Sequence, residues 1–260
     1  MTHLSVRSTG SGEPLLLLHA MPLDSTMFDS VRQGLGHVMT VDAPGFGESP
    51  PASDIDAALG AESPSLDTYA RAVIADLREL GIDRCAIGGL SMGGAVAMSI
   101  LDQAPELVSA LVLMDTNIGA DTDEARAKRL EAAEKADRGD ATTVLPMADT
   151  MTSPVTRERR PEVYDDIARR LRQVRPDSLA WMQRAMAARP DRRHLIDTLD
   201  IPLLLIRGED DASCTEHMMA DLAQRYPGTA TVETIAGAGH FTALETPDEL
   251  RRLLADVTRP

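Results

Sequence analysis

The chain has 260 residues with 41 acidic and 26 basic side chains, a net charge of -15, and is 43% apolar but only 3% aromatic. A chain of this length can bury roughly 70–75% of its unfolded surface in one core, and its apolar content excludes a disordered chain. The negative charge argues against general binding to nucleic acid or an anionic membrane, and no stretch reaches the ~20 apolar residues of a membrane span.

Short apolar runs alternate with amphipathic segments at both ends of the chain. Residues 10–12, rich in glycine, indicate a hairpin turn between the first two runs. Strands are predicted at residues 4–8, 14–18, 37–42, 84–88, 110–115, 202–207 and 230–235, and helices at residues 65–80, 92–103, 215–226 and 247–257. This alternation predicts an α/β fold, a mainly parallel doubly wound sheet whose ligands bind at the carboxyl ends of the strands.

The middle of the chain has a different composition. Residues 118–195 hold 16 basic and 14 acidic side chains, whereas the remainder has a net charge of -17. Residues 121–124 indicate a helix start, Pro161 suits the first turn of a second helix, and Asp177 with Ser178 can cap a third. We therefore predict a core from residues 1–117 and 196–260, and a helical cap from residues 118–195.

The sequence Gly-Leu-Ser-Met-Gly at residues 89–93 follows a buried strand and opens a helix. This is the nucleophile elbow in the structural context that the motif requires. The glycines leave room for a sharp turn that exposes the Ser91 hydroxyl. Ser91 is therefore the candidate nucleophile.

A serine nucleophile needs a base, and the base needs an orienting carboxylate. His240 lies in a small-residue loop after the last predicted strand, and no other histidine lies downstream of the elbow at the carboxyl end of a strand. The acid is expected after the strand that ends near residue 207, where Asp210 and Asp211 are neighbours. Spacing favours Asp211, and Asp115 at the end of an earlier strand is the fallback.

Acyl transfer also needs backbone N–H donors for the oxyanion. One is expected from Met92, the residue after the nucleophile. The other is expected from Met21, in the loop after the second strand. His19 in the same loop is expected to brace it rather than to act as a second base.

Four motifs in order along the chain carry a family resemblance: residues 19–22, residues 42–49, the elbow at 89–93, and residues 208–211 with Gly239 and His240. The chain resembles α/β-hydrolases of the cap-bearing esterase and lactonase type. The elbow and the chain length are similar to those of 3-oxoadipate enol-lactonase-like hydrolases. Ala20 stands where the family usually has glycine. The resemblance implies the α/β-hydrolase fold with a helical cap inserted after the sixth strand.

The function expected from these residues is serine hydrolysis of a small carboxylic ester or lactone through an acyl-enzyme. Perhydrolase, lyase and C–C bond hydrolase chemistry, or non-catalytic binding of a small ligand, remain alternatives. No motif for a cofactor or a metal is present, and the cysteines, Cys85 and Cys214, lack metal or disulfide spacing. A cytoplasmic monomer or homodimer is expected, with no nucleic-acid or membrane partner.

The substrate pocket is expected between the sheet and the cap. Its candidate walls, beside Met21 and Met92, are Met147, Trp181, Met182 and Phe241. Methionine fills irregular shapes, which favours a permissive pocket. The alternative is that the methionines of the cap are ordinary core residues. The arginines of the cap could attract a substrate that bears a carboxylate, or could simply be solvated.

Overall fold

The computed structural model describes residues 3–257 and contains one seven-stranded sheet. Its strands are β1 (Val6–Thr9), β2 (Pro14–Leu18), β3 (His37–Val41), β4 (Cys85–Leu90), β5 (Val108–Met114), β6 (Leu203–Gly208) and β7 (Thr231–Ile235). The strand order is β1-β3-β2-β4-β5-β6-β7, and every neighbouring pair is parallel except β1 with β3. The predicted α/β class and mainly parallel sheet are therefore confirmed.

The hairpin predicted between the first two strands does not form. β1 pairs antiparallel with β3 at the sheet edge, with Val6 opposite Val41, and β3 separates it from β2. β2 instead has parallel neighbours on both sides, and residues 15–18 are almost completely buried. An apolar run without alternation suits a central strand covered on both faces, which leaves the edge to the more polar β1.

The structure has eleven α-helices within residues 3–257. They are α1 (Ala52–Leu59), α2 (Leu66–Glu79), α3 (Met92–Gln103), α4 (Asp123–Asp137), α5 (Met147–Met151), α6 (Pro154–Arg159), α7 (Pro161–Arg172), α8 (Pro176–Ala187), α9 (Glu216–Arg225), α10 (Thr242–Glu245) and α11 (Pro247–Ala255). Within residues 3–257, none of them has the length and hydrophobicity needed to cross a lipid bilayer.

Short 3₁₀ helices complete the set, at Ser25–Phe28, Pro105–Leu107, Thr142–Val144 and Arg193–Thr198. Alternate residues of β2 pack on opposite faces of the sheet. Leu16 and Leu18 join an apolar cluster with α2 and α3, whereas Leu15 and Leu17 join one that includes Phe28 and α11. Both faces of the sheet are thus covered, and its carboxyl edge is left for the loops that carry polar side chains.

Helices α4 to α8 all lie between β5 and β6, within the segment predicted as the cap. These helices were expected after the sixth strand, but they follow the fifth strand, β5. The count is lower by one because a single strand, β1, precedes β2 within residues 3–257. The helix predicted to begin at Asp177 and Ser178 is α8, which starts at Pro176, so Ser178 lies within its first turn instead of capping it. The Ser178 hydroxyl donates to the Gly45 carbonyl and ties the cap to the core.

Candidate active site

Ser91 stands at the turn between β4 and α3 in a strained backbone conformation. Its φ is 55° and its ψ is -113°, a positive-φ geometry that a non-glycine residue rarely adopts. Its N–H donates to the Met114 carbonyl at 2.8 Å, and the Thr116 hydroxyl donates to its carbonyl at 2.6 Å. The turn is thus held from the neighbouring strand, and it presents Ser91 at the carboxyl edge of the sheet.

The elbow glycines are required by close packing. A Cβ atom on Gly89 would lie 2.1 Å from the Gly93 carbonyl oxygen, and one on Gly93 would lie 2.1 Å from the Leu18 carbonyl oxygen. Both clashes are with backbone, which cannot swing aside as a flexible side chain can. The turn can therefore be this sharp only with glycine at both positions.

Gly93→Ala is expected to lower the free energy of unfolding by about 1–3 kcal/mol, because the new methyl group must push β2 away from α3. Urea unfolding followed by circular dichroism measures this change. The matched control is Gly36→Ala, whose Cβ would meet only the Ser11 carbonyl at 3.5 Å. A Gly93→Ala protein as stable as the Gly36→Ala protein would contradict the packing argument.

His240 and Asp211 form a buried pair in two adjacent loops. His240 Nδ1 lies 2.7 Å from Asp211 Oδ2, and each residue is only 4% exposed. Ser213 joins them, since its hydroxyl donates to Asp211 Oδ1 at 2.7 Å and lies 3.0 Å from His240 Nδ1. Donation from Nδ1 to the carboxylate leaves Nε2 of His240 as an acceptor.

The other two candidate acids have different partners. Asp210 accepts a hydrogen bond from the Ser153 hydroxyl at the start of α6. Asp115 is buried at the end of β5 and accepts from the Gly208 N–H at 2.7 Å and from the Thr242 hydroxyl at 2.6 Å. The carboxylate bonded to His240 is therefore that of Asp211, and Asp115 joins the two loops behind the pair.

Burial raises the pKa of Asp115 to about 8, against the opposing influence of the His240 charge. The pKa of His240 is also raised. Burial, the largest single influence, lowers it, but the hydrogen bond and charge of Asp211 outweigh that effect, helped by the charges of Asp115 and Glu245.

This upward shift predicts the pH dependence of any reaction in which His240 acts as a base. The base must be neutral, so activity is lost as the pH falls through the raised pKa. We expect the acidic limb of kcat/KM to have its midpoint above the usual histidine pKa of about 6.5. A rate profile over pH measures it, with circular dichroism at each pH as the control for unfolding. A midpoint below the usual value would contradict the environment described for His240.

The loop after β2 contains the second expected backbone donor. The N–H groups of Met21 and Met92 donate to no residue that the structure describes. His19 is fully buried, with Nδ1 3.0 Å from the Ala20 carbonyl, and its Nε2 accepts from the Ala43 N–H at 2.9 Å. Burial lowers the pKa of His19, so it is a neutral brace, as expected from the sequence.

One cavity of about 380 Å³ joins these groups. Ser91 and His240 both line it, together with both expected oxyanion donors and Met147 from the cap. Its further lining residues, none of which was named as a pocket wall from the sequence, are Asp115, Asn117, Asp121, Ala125, Arg129, Met151, Met186, Arg189 and Ser213. The cap also holds the histidine loop directly, since the His240 N–H donates to the Met151 carbonyl at 2.8 Å.

Three of the expected pocket walls lie elsewhere, and this part of the expectation is corrected. Met182 and Phe241 are fully buried in the two apolar clusters of the molecule and are not among the residues that line the cavity. Trp181 packs in the same cluster as Met182, and its indole N–H donates to Asp56 on α1. These side chains anchor the cap and the histidine loop to the core.

The sequence analysis also did not identify a buried glutamate that contacts the residues on either side of His240. Glu245 is fully buried, and its Oε1 accepts from the N–H groups of Gly239 and Phe241, each at 3.1 Å. Its Oε2 accepts from the Ser153 N–H in the cap at 2.9 Å. The only sequence indication is its place five residues after His240, at a helix end. Among residues 3–257, no group of His, Cys, Asp and Glu side chains could hold a metal ion.

Comparison with known proteins identifies the family. The profile of the alpha/beta hydrolase family matches residues 15–253, which is most of the chain. The chain therefore belongs to the alpha/beta hydrolase family, as its motifs indicated. The matched region includes the elbow, the Asp211 loop and the His240 loop.

Individual relatives include esterases. An esterase of Mycobacterium tuberculosis is 25% identical over 260 residues, covering 97% of this chain and 85% of that protein. The structure of a thermophilic esterase from Thermogutta terrifontis, solved with malate bound, matches with a TM-score of 0.91 and 28% identity, covering 98% of this chain and 92% of that one. An enol-lactonase from Burkholderia xenovorans LB400 has the same fold, with a TM-score of 0.81 and 22% identity over 97% of this chain and 95% of its own.

Proposed function

We propose that this protein hydrolyses small carboxylic esters or lactones through an acyl-enzyme on Ser91. The observation that carries the proposal is the hydrogen bond from His240 Nδ1 to Asp211, which leaves Nε2 as a base in the cavity that Ser91 also lines. Membership of a hydrolase family with esterase relatives supports the same conclusion.

In the first half of the reaction, His240 Nε2 takes the proton from the Ser91 hydroxyl as its oxygen attacks the ester carbonyl carbon. Asp211 keeps the imidazole in the required tautomer and stabilises the cation that forms. The carbonyl oxygen becomes an oxyanion, for which the unpaired N–H groups of Met21 and Met92 are the proposed donors. Each such donor typically contributes about 3 kcal/mol to transition-state stability.

In the second half, His240 gives its proton to the departing alcohol oxygen, and the C–O bond of the ester breaks. A water molecule then loses a proton to His240 and attacks the acyl carbon. The carboxylic acid leaves, and the proton returns to Ser91. With a lactone, the alcohol and the acid remain parts of one product. Residues 118–195 are proposed to act as the cap that encloses the acyl group, since Met147, Met151 and Met186 line the cavity from that side.

A panel of esters, lactones and thioesters tests this proposal. A cavity of about 380 Å³ accommodates small substrates only. We therefore expect p-nitrophenyl butyrate to be hydrolysed much faster than p-nitrophenyl palmitate, whose chain exceeds the cavity. Absence of turnover across the whole panel, by protein shown to be folded, would overturn the proposed function.

A further inference from the structure

A cluster of three charged side chains lines the candidate active-site cavity on the cap side. Asp121 precedes α4, Arg129 lies on α4, and Arg189 follows α8. Asp121 Oδ2 lies 2.6 Å from Arg129 Nε, and Asp121 Oδ1 lies 2.6 Å from Arg189 Nη2. The Asp121 and Arg189 side chains are only 6% and 5% exposed, and that of Arg129 is 23% exposed. One carboxylate is therefore shared by two guanidinium groups.

This arrangement leaves one positive charge in excess on the cavity wall. The other titratable groups that line the cavity are His240, which pairs with Asp211, and Asp115, whose charged form is disfavoured because burial raises its pKa to about 8. The protein as a whole carries a net charge of -15. Asp121 is already shared by both guanidinium groups, so no carboxylate on the cap side of the cavity is left to balance the second positive charge.

The unpaired donors belong mainly to Arg129. Arg189 is committed to the structure, because its Nε donates to the Gly119 carbonyl and its Nη1 to the Met186 carbonyl, besides the contact with Asp121. Arg129 bonds through Nε to Asp121 and through Nη1 to Gln183. Its Nη2 has no partner among residues 3–257, although a guanidinium offers five N–H donors in one plane. Arg189 thus holds Asp121 in place, and Arg129 is left with free donors.

We propose that Arg129 binds a free carboxylate of the substrate, so that the preferred substrates are half-esters of short dicarboxylic acids or lactones that bear a carboxylate. This inference rests on the proposed ester hydrolysis and specifies its substrate class. A carboxylate matches the planar guanidinium fork and supplies the missing negative charge. A neutral substrate would fill the same cavity and leave the cation unpaired.

Matched ester pairs test the inference. The monomethyl and dimethyl esters of succinate, glutarate and adipate differ in charge but hardly in shape, and their hydrolysis is followed in a pH-stat at pH 7. For at least one chain length, we expect the wild-type kcat/KM to favour the monoanion by about tenfold or more, as a charge-assisted hydrogen bond would give. Arg129→Gln should abolish that preference, and Arg129→Lys should restore part of it.

Arg184→Gln is the matched control, because Arg184 also pairs with an aspartate on the cap but does not line the cavity. It should keep the wild-type ratio. Hydrolysis of mono- and diesters at equal kcat/KM by the wild type, or an unchanged ratio in Arg129→Gln, would overturn the inference while the ester hydrolase proposal stands.

A binding experiment separates the two proposals further. Calorimetry with glutarate and the Ser91→Ala protein is expected to detect binding that is lost when Arg129→Gln is added. If glutarate binding depends on Arg129 but the wild-type protein hydrolyses no ester, the carboxylate site is supported and the proposed function is contradicted. Glutarate binding that is unaffected by Arg129→Gln would count against the carboxylate site.

Discussion

Ser91→Ala is expected to lower ester turnover by about 10⁶-fold, as removal of the nucleophile does in serine hydrolases that use a histidine base. Nothing else in the cavity can replace the hydroxyl. Ser213 is the nearest alternative, but its oxygen is engaged by Asp211 and lies on the Nδ1 side of His240, away from the free Nε2. The measurement is kcat/KM for p-nitrophenyl butyrate, corrected for the rate without enzyme.

The control for Ser91→Ala is Ser53→Ala, which alters an exposed serine on α1 outside the cavity. It should retain the wild-type rate. Ser91 occupies a positive-φ position that strains any non-glycine side chain, so alanine there should fold as well as serine does. A folded Ser91→Ala protein that keeps most of the wild-type turnover would contradict the proposed mechanism.

Asp211→Asn is expected to lower kcat by about 10⁴-fold with little change in structure. The amide has no negative charge to stabilise the imidazolium, and its NH₂ group can donate to His240 Nδ1. It also favours the wrong tautomer, with the proton on Nε2 and no lone pair for the Ser91 proton. The same change should lower the pKa of His240, because the bond and charge of Asp211 are what raise it.

Asp210→Asn is the matched control for Asp211→Asn. The two aspartates are neighbours in one loop, but Asp210 contacts Ser153 of the cap, and Asp211 contacts His240. We expect Asp210→Asn to keep activity within a few-fold of wild type. If Asp210→Asn lowered activity more than Asp211→Asn, both the sequence spacing and the contacts in the structure would have indicated the wrong acid.

Local sequence patterns predicted most of the scaffold. The apolar spacing after Ser65 predicted α2, and the structure shows Ser65 capping it by accepting from the Thr68 N–H. The edge pairing of β1 with β3 was missed, because it depends on competition among distant strands for the same partner. Helix α1 was also missed: only Ala52 and Ile55 are buried on it, too few to make a periodic pattern.

The candidate residues Ser91, Asp211 and His240 could be proposed from sequence because each follows a predicted strand, in a turn that contains glycine. The residues of the cavity wall could not be predicted in this way. Arg129 and Arg189 are 60 residues apart and look like ordinary solvated arginines until the cap helices bring them onto Asp121. Trp181 and Met182 were expected in the pocket because they lie in the predicted cap, but the sequence does not tell which face of α8 meets the core. The exact limits of the cap stay a prediction.

The most direct test of the central claim is to label the protein with a fluorophosphonate and map the adduct by mass spectrometry. Such reagents modify a serine only when a neighbouring base activates it. We predict one adduct, on the peptide that contains Ser91, formed much more slowly in Asp211→Asn and absent from Ser91→Ala. An unlabelled wild-type protein, or an adduct on any other residue, would contradict the account and favour a protein that binds small ligands without turning them over.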